Sequence, residues 1–197
     1  MFEKVLEFEN KIADFFGSQY GIATDCCTHA IELCLRYNEI KSVTCPTNTY
    51  ISIPFTLKKL NIEWHFEDKK WADYYFLGNT NIIDAAVLWR KNCYIKNTFM
   101  CISFQYKKHL SLGRGGIILT DDVSAYYDLS KMRYDGRDLA VPWQDQNFTS
   151  IGYHYYMTPE TAELGLKKFN QAANTLPKKW TNQDYPNLSK MEVFNNV

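Results

Sequence analysis

The chain has 197 residues, of which 46% are hydrophobic and 16% aromatic, enough apolar material for the packed core of one domain. Lys plus Arg and Asp plus Glu both count 22, so the formal net charge is zero. This balance argues against a nucleic acid or an anionic membrane as a partner held by bulk charge. No apolar run approaches the roughly 18 residues of a membrane-spanning helix. These properties are typical of a single globular domain with at most a small appendage.

The N-terminus and the cysteines indicate a cytoplasmic protein without a metal site. The opening residues are acidic and amphipathic, unlike a signal peptide. Most of the six cysteines sit inside apolar runs, as reduced core cysteines do, and none forms a Cys-x-x-Cys pair. Cys26, Cys27 and His29 are close in sequence but lack a second pair of ligands at metal spacing. We therefore expect no metal here.

The first elements of the chain form a possible anion site. Apolar residues at helical spacing predict a helix over 2–16 that ends at a glycine, followed by a short strand over 20–23. A polar turn then leads into a second helix over 30–37. Strand, turn and helix in this order collect free backbone N–H groups and the positive helix end at one point, where an anion can bind. The alternative, which the spacing alone favours, is that Asp25 or Thr28 merely caps the helix.

A carboxylate follows the next predicted elements. These are a strand over 43–46 ended by proline, a helix from 47 to about 60, and an alternating strand over 62–66. A shorter apolar pair over 82–83 then ends in Asp84. A carboxylate at the end of a strand lies at the mouth of an α/β sheet, where ligands bind. The alternative is that Asp84 is a helix N-cap.

The segment with the most chemical potential contains two lysines between two apolar runs. Strands are predicted over 99–102 and 116–120, and a polar loop with Lys107, Lys108 and a glycine turn connects them. One interpretation is a hairpin with a solvated basic tip. The other is that a lysine held between the strands loses its hydration, because desolvation lowers the pKa of an amine and makes it a nucleophile toward carbonyls.

The rest of the chain predicts two helices and a polar end. One helix follows two aspartates and ends near Met132, a loop without periodicity occupies 138–150, and a second helix occupies 159–170. From there the composition is polar with prolines, and it indicates no core. The predicted division is therefore a domain over 1–170 and a polar tail over 171–197.

The lysine segment resembles a known motif. Residues 103–110 read Ser-Phe-x-x-x-Lys-His-Leu, and Gly-Arg-Gly-Gly and an Ile-Ile-Leu-Thr strand follow. This pattern is similar to the lysine motif of the DegT/StrS sugar-nucleotide aminotransferases, which depend on pyridoxal 5'-phosphate and have the aspartate-aminotransferase fold. The resemblance implies a three-layer α/β domain with a mostly parallel sheet, like the large domain of these enzymes. It also implies that Lys108 is the Schiff-base lysine and that Ser103 helps to hold the cofactor phosphate.

Four further stretches resemble the same family, in order along the chain. Cys27 and Thr28 match the Gly-Thr pair whose amides bind the phosphate, and Tyr50 matches the aromatic residue that lies flat on the pyridine ring. Asp84 matches the aspartate that pairs with the ring nitrogen. His154 occupies the place of an asparagine that reaches the phosphate of the neighbouring subunit. The resemblance therefore implies a homodimer with a shared site.

The chain also departs from the family pattern. Cys27 replaces a glycine, Val87 replaces a Gln or His near the cofactor hydroxyl, and Tyr156 replaces an arginine. The segment over 69–80 is shorter than its counterpart, so elements that pass over the cofactor are expected to be missing, and the 171–197 tail resembles a remnant of the family's small domain. The implied function is transamination of a ketosugar nucleotide with glutamate as amino donor. The alternative is a reduced, catalytically impaired member that binds the cofactor or acts as a scaffold or partner protein.

Overall fold

The computed structural model describes residues 2–194. The helices are α1 (Glu3–Phe16), α2 (Cys27–Tyr37), α3 (Ser52–Lys59), α4 (Val123–Met132) and α5 (Pro159–Ala173). The strands are β1 (Tyr20–Thr24), β2 (Ser42–Pro46), β3 (Glu63–Glu67), β4 (Tyr75–Phe76), β5 (Ile82–Asp84), β6 (Phe99–Ser103) and β7 (Gly116–Thr120). Short 3₁₀ turns lie at Trp143–Asp145, Asn182–Asp184, Leu188–Lys190 and Glu192–Phe194. Within residues 2–194, no helix combines the length and apolarity that crossing a membrane requires.

The main sheet is mixed, which corrects the prediction of a mostly parallel sheet. Its strand order is β1-β7-β6-β5-β4, and within it the β5–β6 pair is parallel while the other three pairs are antiparallel. A separate parallel pair joins β2 to β3. The prediction fails because a strand buried on both faces has the same apolar run in either direction. The α/β class itself is confirmed.

Helices cover both faces of the sheet and bury two cores. Along β7, Ile117 and Leu119 belong to the core under α1 and α5, whereas Ile118 belongs to the core under α2 and α4. This alternation follows from the two-residue period of a strand. The three layers position the end of β5 and the loop after β6 beside the N-terminus of α2.

A buried ion pair fastens α1 to the sheet and to the end of α4. Glu9 and Arg133 are 2% and 3% exposed, and the Arg133 guanidinium donates to Glu9 Oε1. The same oxygen accepts from the Ala23 amide at 2.6 Å, and Arg133 donates to the Ala23 carbonyl at 2.8 Å. These hydrogen bonds hold the ion pair in place away from water. Loss of either partner leaves the charge of the other without a counterion.

The segment after α5 turns back to the sheet and contributes to the core. The Leu188 amide donates to the Thr47 carbonyl at 2.8 Å, and the Asn48 side chain donates to the Tyr185 carbonyl at 2.9 Å. Leu188 and Phe194 are buried. The polar composition of this segment does not indicate such packing, because a few anchoring side chains are enough to dock a chain that lacks periodicity.

Candidate active site

A cavity of about 330 Å³ opens where β5 and β6 end, beside the N-termini of α2 and α3. Its lining combines a lysine, an aspartate, hydroxyl groups and several aromatic rings. The residues that the argument uses are Cys27, Thr28, Tyr50, Ser52, Tyr75, Asp84, Lys108, Trp180 and Tyr185. A cleft that is mostly apolar with a few convergent polar groups is typical of a small-molecule site.

Lys108 contributes an amine that is partly removed from water. The loop that carries it is fixed by hydrogen bonds from the Lys108 amide to the Gln105 carbonyl at 2.8 Å and from the Leu112 amide to the Phe104 carbonyl at 2.9 Å. Burial lowers the pKa of Lys108, although the charge of Asp84 opposes that shift. Among residues 2–194, no carboxylate forms a salt bridge with its Nζ. A lysine in these surroundings is a better nucleophile and base than an exposed one.

The two interpretations of the lysine segment are both right. β6 and β7 do form an antiparallel hairpin, with Ser103 opposite Gly116. Lys107 lies at its exposed tip, with its Nζ 5.5 Å from the centre of the Tyr106 ring. Lys108 is the more buried of the two, with its Nζ 5.6 Å from the centre of the Trp180 ring, and both lysines belong to the cavity lining. The hairpin thus presents one solvated and one partly desolvated lysine.

Asp84 lies at the end of β5 and is 6% exposed. Its Oδ2 accepts from the Tyr75 hydroxyl at 2.6 Å, and its Oδ1 accepts from the Ala86 amide at 3.0 Å. Burial raises the pKa of Asp84, and the hydrogen bonds from Tyr75 and Ala86 and the charge of Lys108 oppose that shift. These two bonds use two of about four acceptor positions of a carboxylate, so each oxygen keeps capacity for a ligand.

The N-terminus of α2 faces the cavity without a side-chain cap. Cys26 occupies the N-cap and its side chain makes no capping hydrogen bond, so the prediction that Asp25 or Thr28 caps this helix is wrong. The Thr28 hydroxyl instead donates to the Ser52 hydroxyl at 2.9 Å. Helix and hairpin are so close that a Cβ on Gly116 would lie 2.4 Å from the Cys27 nitrogen, which excludes a side chain there. Free amides, hydroxyls and a positive helix end are the elements of an anion site.

A salt-bridge network outside the cavity braces this helix start. Asp25 accepts from His29 Nδ1 at 2.6 Å and from Arg114 at 2.6 Å. Burial acts to lower the pKa of His29, but the hydrogen bonds with Asp25 and Cys26 outweigh it and raise that pKa to about 9. One ligand-type atom each from Asp25, Cys26 and His29 lies within 4.8 Å of the others. Because both Asp25 oxygens are paired, the cluster joins the β6–β7 hairpin to α2.

The structure brings together five of the seven residues predicted for the site. Cys27, Thr28, Tyr50, Asp84 and Lys108 all line the cavity, with Tyr50 at its mouth and 55% exposed. Burial raises the pKa of the Cys27 thiol well above its usual value, so the thiol is neutral.

Two predicted residues lie outside this lining. The buried Ser103 hydroxyl accepts from the Gln105 amide at 3.3 Å, within its own loop. His154 is an exposed residue whose Nδ1 lies 2.9 Å from Asp135 Oδ2. Neither side chain belongs to the cavity lining formed by residues 2–194.

Sequence reasoning missed an aromatic wall over the cavity. The Trp71 ring lies 5.2 Å from the Tyr75 ring and 5.4 Å from the Tyr185 ring, and the Trp180 and Tyr185 rings are 6.1 Å apart, all between centroids. These residues come from the short segment before β5 and from the tail. The available signal was that tryptophan and tyrosine occur in otherwise polar stretches.

Backbone hydrogen bonds hold the two parts of this aromatic wall together. The Asp73 amide donates to the Trp180 carbonyl at 2.8 Å, and the Asn182 amide donates to the Trp71 carbonyl at 3.1 Å. Lys178 pairs with Asp184 at 2.8 Å and lies 3.8 Å from the Trp180 ring centre. The cavity, expected to lack a cover, is therefore covered by the chain's own tail.

The chain is similar in fold to several solved structures, some of which are described as aminotransferases. AtS13 from Actinomadura melliaura has a TM-score of 0.75 and 17% identity, and the match covers 88% of this chain and 61% of that one. The sugar aminotransferase CalS13 from Micromonospora echinospora has a TM-score of 0.74 and 13% identity, over 86% of this chain and 61% of that one. PseC from Helicobacter pylori, an aminotransferase of pseudoaminic acid biosynthesis, has a TM-score of 0.65 and 14% identity, over 86% and 58%.

These similarities establish the fold, and the chain spans about three fifths of the length of the structures it matches. Among curated protein sequences, none matches the chain. The model of the DegT/DnrJ/EryC1/StrS aminotransferase family, however, matches residues 1–85 and 90–187. Because that match extends over most of the sequence, the chain belongs to the DegT/DnrJ/EryC1/StrS aminotransferase family.

Proposed function

We propose that the protein is a pyridoxal-phosphate-dependent aminotransferase that acts on a ketosugar nucleotide, with glutamate as amino donor. The observation that carries the proposal is the meeting, in one cavity, of the partly desolvated Lys108 and the buried Asp84. Family membership supports the reaction class. CalS13 is a sugar aminotransferase and Spr1654 of Streptococcus pneumoniae has been solved in a PLP form, which supports the sugar substrate and the cofactor.

The residues of the cavity fit this cofactor at each of its groups. The uncapped amides at the start of α2, with the hydroxyls of Thr28 and Ser52, would hold the phosphate. Asp84 would accept a hydrogen bond from the protonated ring nitrogen, and Tyr50 would cover a ring face at the mouth. Lys108 would supply the amine for the aldehyde. When bound, pyridoxal phosphate supplies an electron sink for the charge that develops as a substrate carbon loses its proton.

The chain's own residues would manage the proton and the solvent. Because burial lowers the pKa of Lys108, a larger share of its amine is neutral near pH 7 than for a free lysine. In that form Nζ can take the proton from the substrate α-carbon and later return it, as general base and then general acid. Trp71, Tyr75 and Tyr185 would exclude water from this transfer.

Attachment of the cofactor at Lys108 tests the proposal directly. The purified protein is mixed with pyridoxal phosphate, reduced with borohydride, and digested for peptide mapping. We expect one labelled peptide with the mass increase on Lys108, and no label in the Lys108→Ala variant. Lys107→Ala is the matched control and should keep full labelling, because Lys107 lies at the exposed hairpin tip. Label on Lys107 would show that the alignment of residues 103–108 with the family's lysine motif is shifted by one residue. No label on either lysine would reject the proposed function.

The alternative function, a cofactor-binding protein or scaffold without turnover, has its own support. Val87 lines the cavity at a place where the family pattern has a hydrogen-bonding side chain, and Cys27 replaces the expected glycine. Amination assays with ketosugar nucleotides separate the two functions. Labelling of Lys108 without any turnover would favour the alternative, whereas turnover would exclude it.

We infer a homodimer in which His154 approaches the phosphate end of the neighbour's cavity. His154 has a 71% exposed side chain that lies outside the cavity of its own subunit. The rings of its two neighbours, Tyr153 and Tyr155, stack on each other. A nearby loop exposes apolar residues suited to an interface, namely Trp143, Phe148 and Ile151. Sedimentation at micromolar concentration, with and without pyridoxal phosphate, should show a dimer. A strictly monomeric protein that binds the cofactor tightly would contradict the shared site.

A further inference from the structure

We propose that Tyr75 is a positioning residue that keeps Asp84 ionised and aimed at the ring nitrogen of the cofactor. The inference rests on the proposed function and deepens it, because it assigns a role to a residue that the family motifs do not include. Tyr75 touches Asp84 and lines the same cavity. Its role is exerted through Asp84, so Tyr75 itself performs no chemical step.

The sheet register fixes the contact between the two side chains. Tyr75 on β4 lies directly opposite Asp84 on β5 in an antiparallel pair, and directly opposite residues point to the same face. Tyr75 is 4% exposed and Asp84 is 6% exposed, so surrounding atoms leave both side chains little freedom. The hydroxyl and Oδ2 are 2.6 Å apart, the short distance expected of a bond to a carboxylate.

The direction of the hydrogen bonds follows from the chemistry of the groups. An ionised carboxylate can only accept, so the phenolic proton of Tyr75 points to Asp84. The Tyr75 oxygen is also hydrogen-bonded to the Thr49 hydroxyl, which must then be the donor. Thr49 is 2% exposed. The result is a buried chain from Thr49 through Tyr75 to Asp84, in which each proton points toward the carboxylate.

Asp84 needs these hydrogen bonds to stay ionised, because its buried surroundings disfavour a negative charge. Burial raises the pKa of Asp84, and the Tyr75 hydrogen bond is the largest influence that opposes the rise. A neutral Asp84 would donate a hydrogen bond to the ring nitrogen instead of accepting one from its N–H group. Removal of the hydroxyl leaves the Ala86 amide and the Lys108 charge as opposing influences. Asp84 should then remain protonated to a higher pH.

The test compares the dissociation constant of pyridoxal phosphate for the wild type and Tyr75→Phe between pH 6 and pH 9, by absorbance of the Lys108-bound form. Near pH 6 to 7 the variant should bind about tenfold more weakly, the worth of one hydrogen bond to a charged group. The ratio of the two constants should fall toward one as pH rises, because Asp84 regains its charge without help. A merely structural role predicts a ratio that does not change with pH.

The thiols and phenols near Asp84 do not contribute to the pH dependence of this ratio. The titratable groups whose charges couple to Asp84 are Cys27, Cys45, Tyr75, Cys101, Lys108 and Tyr185. The thiols and phenols among them have raised pKa values and stay neutral over this pH range. Lys108 is coupled to Asp84 by charge, so any change in its titration in Tyr75→Phe follows from the changed protonation of Asp84. The pH dependence of the ratio therefore reports Asp84, directly and through Lys108.

Two further variants keep the inference falsifiable. Tyr94→Phe is the matched control, because the Tyr94 hydroxyl donates to Asp121 at 2.9 Å away from the cavity, and its ratio to wild type should be near one at every pH. Thr49→Val should also weaken cofactor binding, but by less than Tyr75→Phe. It provides a second test of the inference if Tyr75→Phe does not fold. A flat ratio, or tighter binding by Tyr75→Phe at every pH, overturns the inference. Absence of wild-type binding would instead reject the proposed function.

Discussion

Replacement of Asp84 by asparagine is expected to lower the amination rate about 100-fold or more, the scale of losing one electrostatic group aimed at the reacting centre. Asparagine keeps the shape of the side chain, and its single carbonyl oxygen can still accept from the Ala86 amide, while its NH2 group takes the place of the oxygen that accepts from Tyr75. It carries no negative charge, so the ring nitrogen loses the partner that keeps it protonated. Asp84→Ala should cause at least the same loss. Single-turnover and steady-state rates with the amino donor measure the effect.

A matched aspartate controls for damage to the fold. Asp121 accepts from the hydroxyl of the half-buried Tyr94, much as Asp84 accepts from Tyr75, but it lies outside the cavity, so Asp121→Asn should leave the amination rate within about twofold of wild type. Borohydride labelling shows whether Asp84→Asn still binds the cofactor at Lys108. Normal turnover by Asp84→Asn would mean that the carboxylate only terminates β5.

Replacement of Arg133 by methionine should destabilise the fold by about 3–5 kcal/mol, the usual cost of stranding one charge of a buried pair. Glu9 would keep its bond from the Ala23 amide but lose its counterion, and its Oε2 is already a buried atom without a hydrogen-bond partner. In a domain of this size the melting temperature should fall by roughly 10 °C. Urea unfolding followed by circular dichroism measures the change in free energy.

The double variant Glu9→Leu/Arg133→Met separates the charge from the packing. It should recover most of the lost stability, because no uncompensated charge remains. Lys4→Met removes one partner of the exposed Lys4–Glu7 pair and should leave the free energy of unfolding nearly unchanged. A small effect of Arg133→Met by itself would indicate that water reaches Glu9 and that the pair is not a structural lock.

The sequence predicted the elements that periodicity and strand ends determine. Helical spacing before Gly17 predicted α1, and the glycine ends that helix in the left-handed region, with φ 81°. A strand that ends in Asp84 predicted a carboxylate at the cavity, and the family resemblance over residues 103–108 pointed to Lys108, which is the more buried of the two loop lysines. These features could be predicted because they depend on residues that are close together in the sequence.

Features that depend on distant parts of the chain could not be predicted in this way. Whether β1 and β7 pair parallel or antiparallel cannot be read from the sequences of two buried strands, because both are continuous apolar runs. Trp180 and Tyr185 reach the cavity through bonds to residues about a hundred positions away, and no periodic pattern marks such contacts. The same limit applies to Ser103, which resembles a cofactor ligand in sequence but whose hydroxyl is engaged by its own loop.

Because residues of the tail line the cavity, retention of a ligand there depends on the docking of the tail. One part of the aromatic wall is synthesised with Trp71 and Tyr75, whereas the other follows only when Trp180 and Tyr185 emerge from the ribosome. Until then this side of the cavity lacks its cover. A ligand enclosed by both parts contacts each of them, so its binding and the docking of the tail strengthen one another by the same free energy. Tight cofactor binding therefore marks a chain that has been synthesised through Tyr185 and has closed.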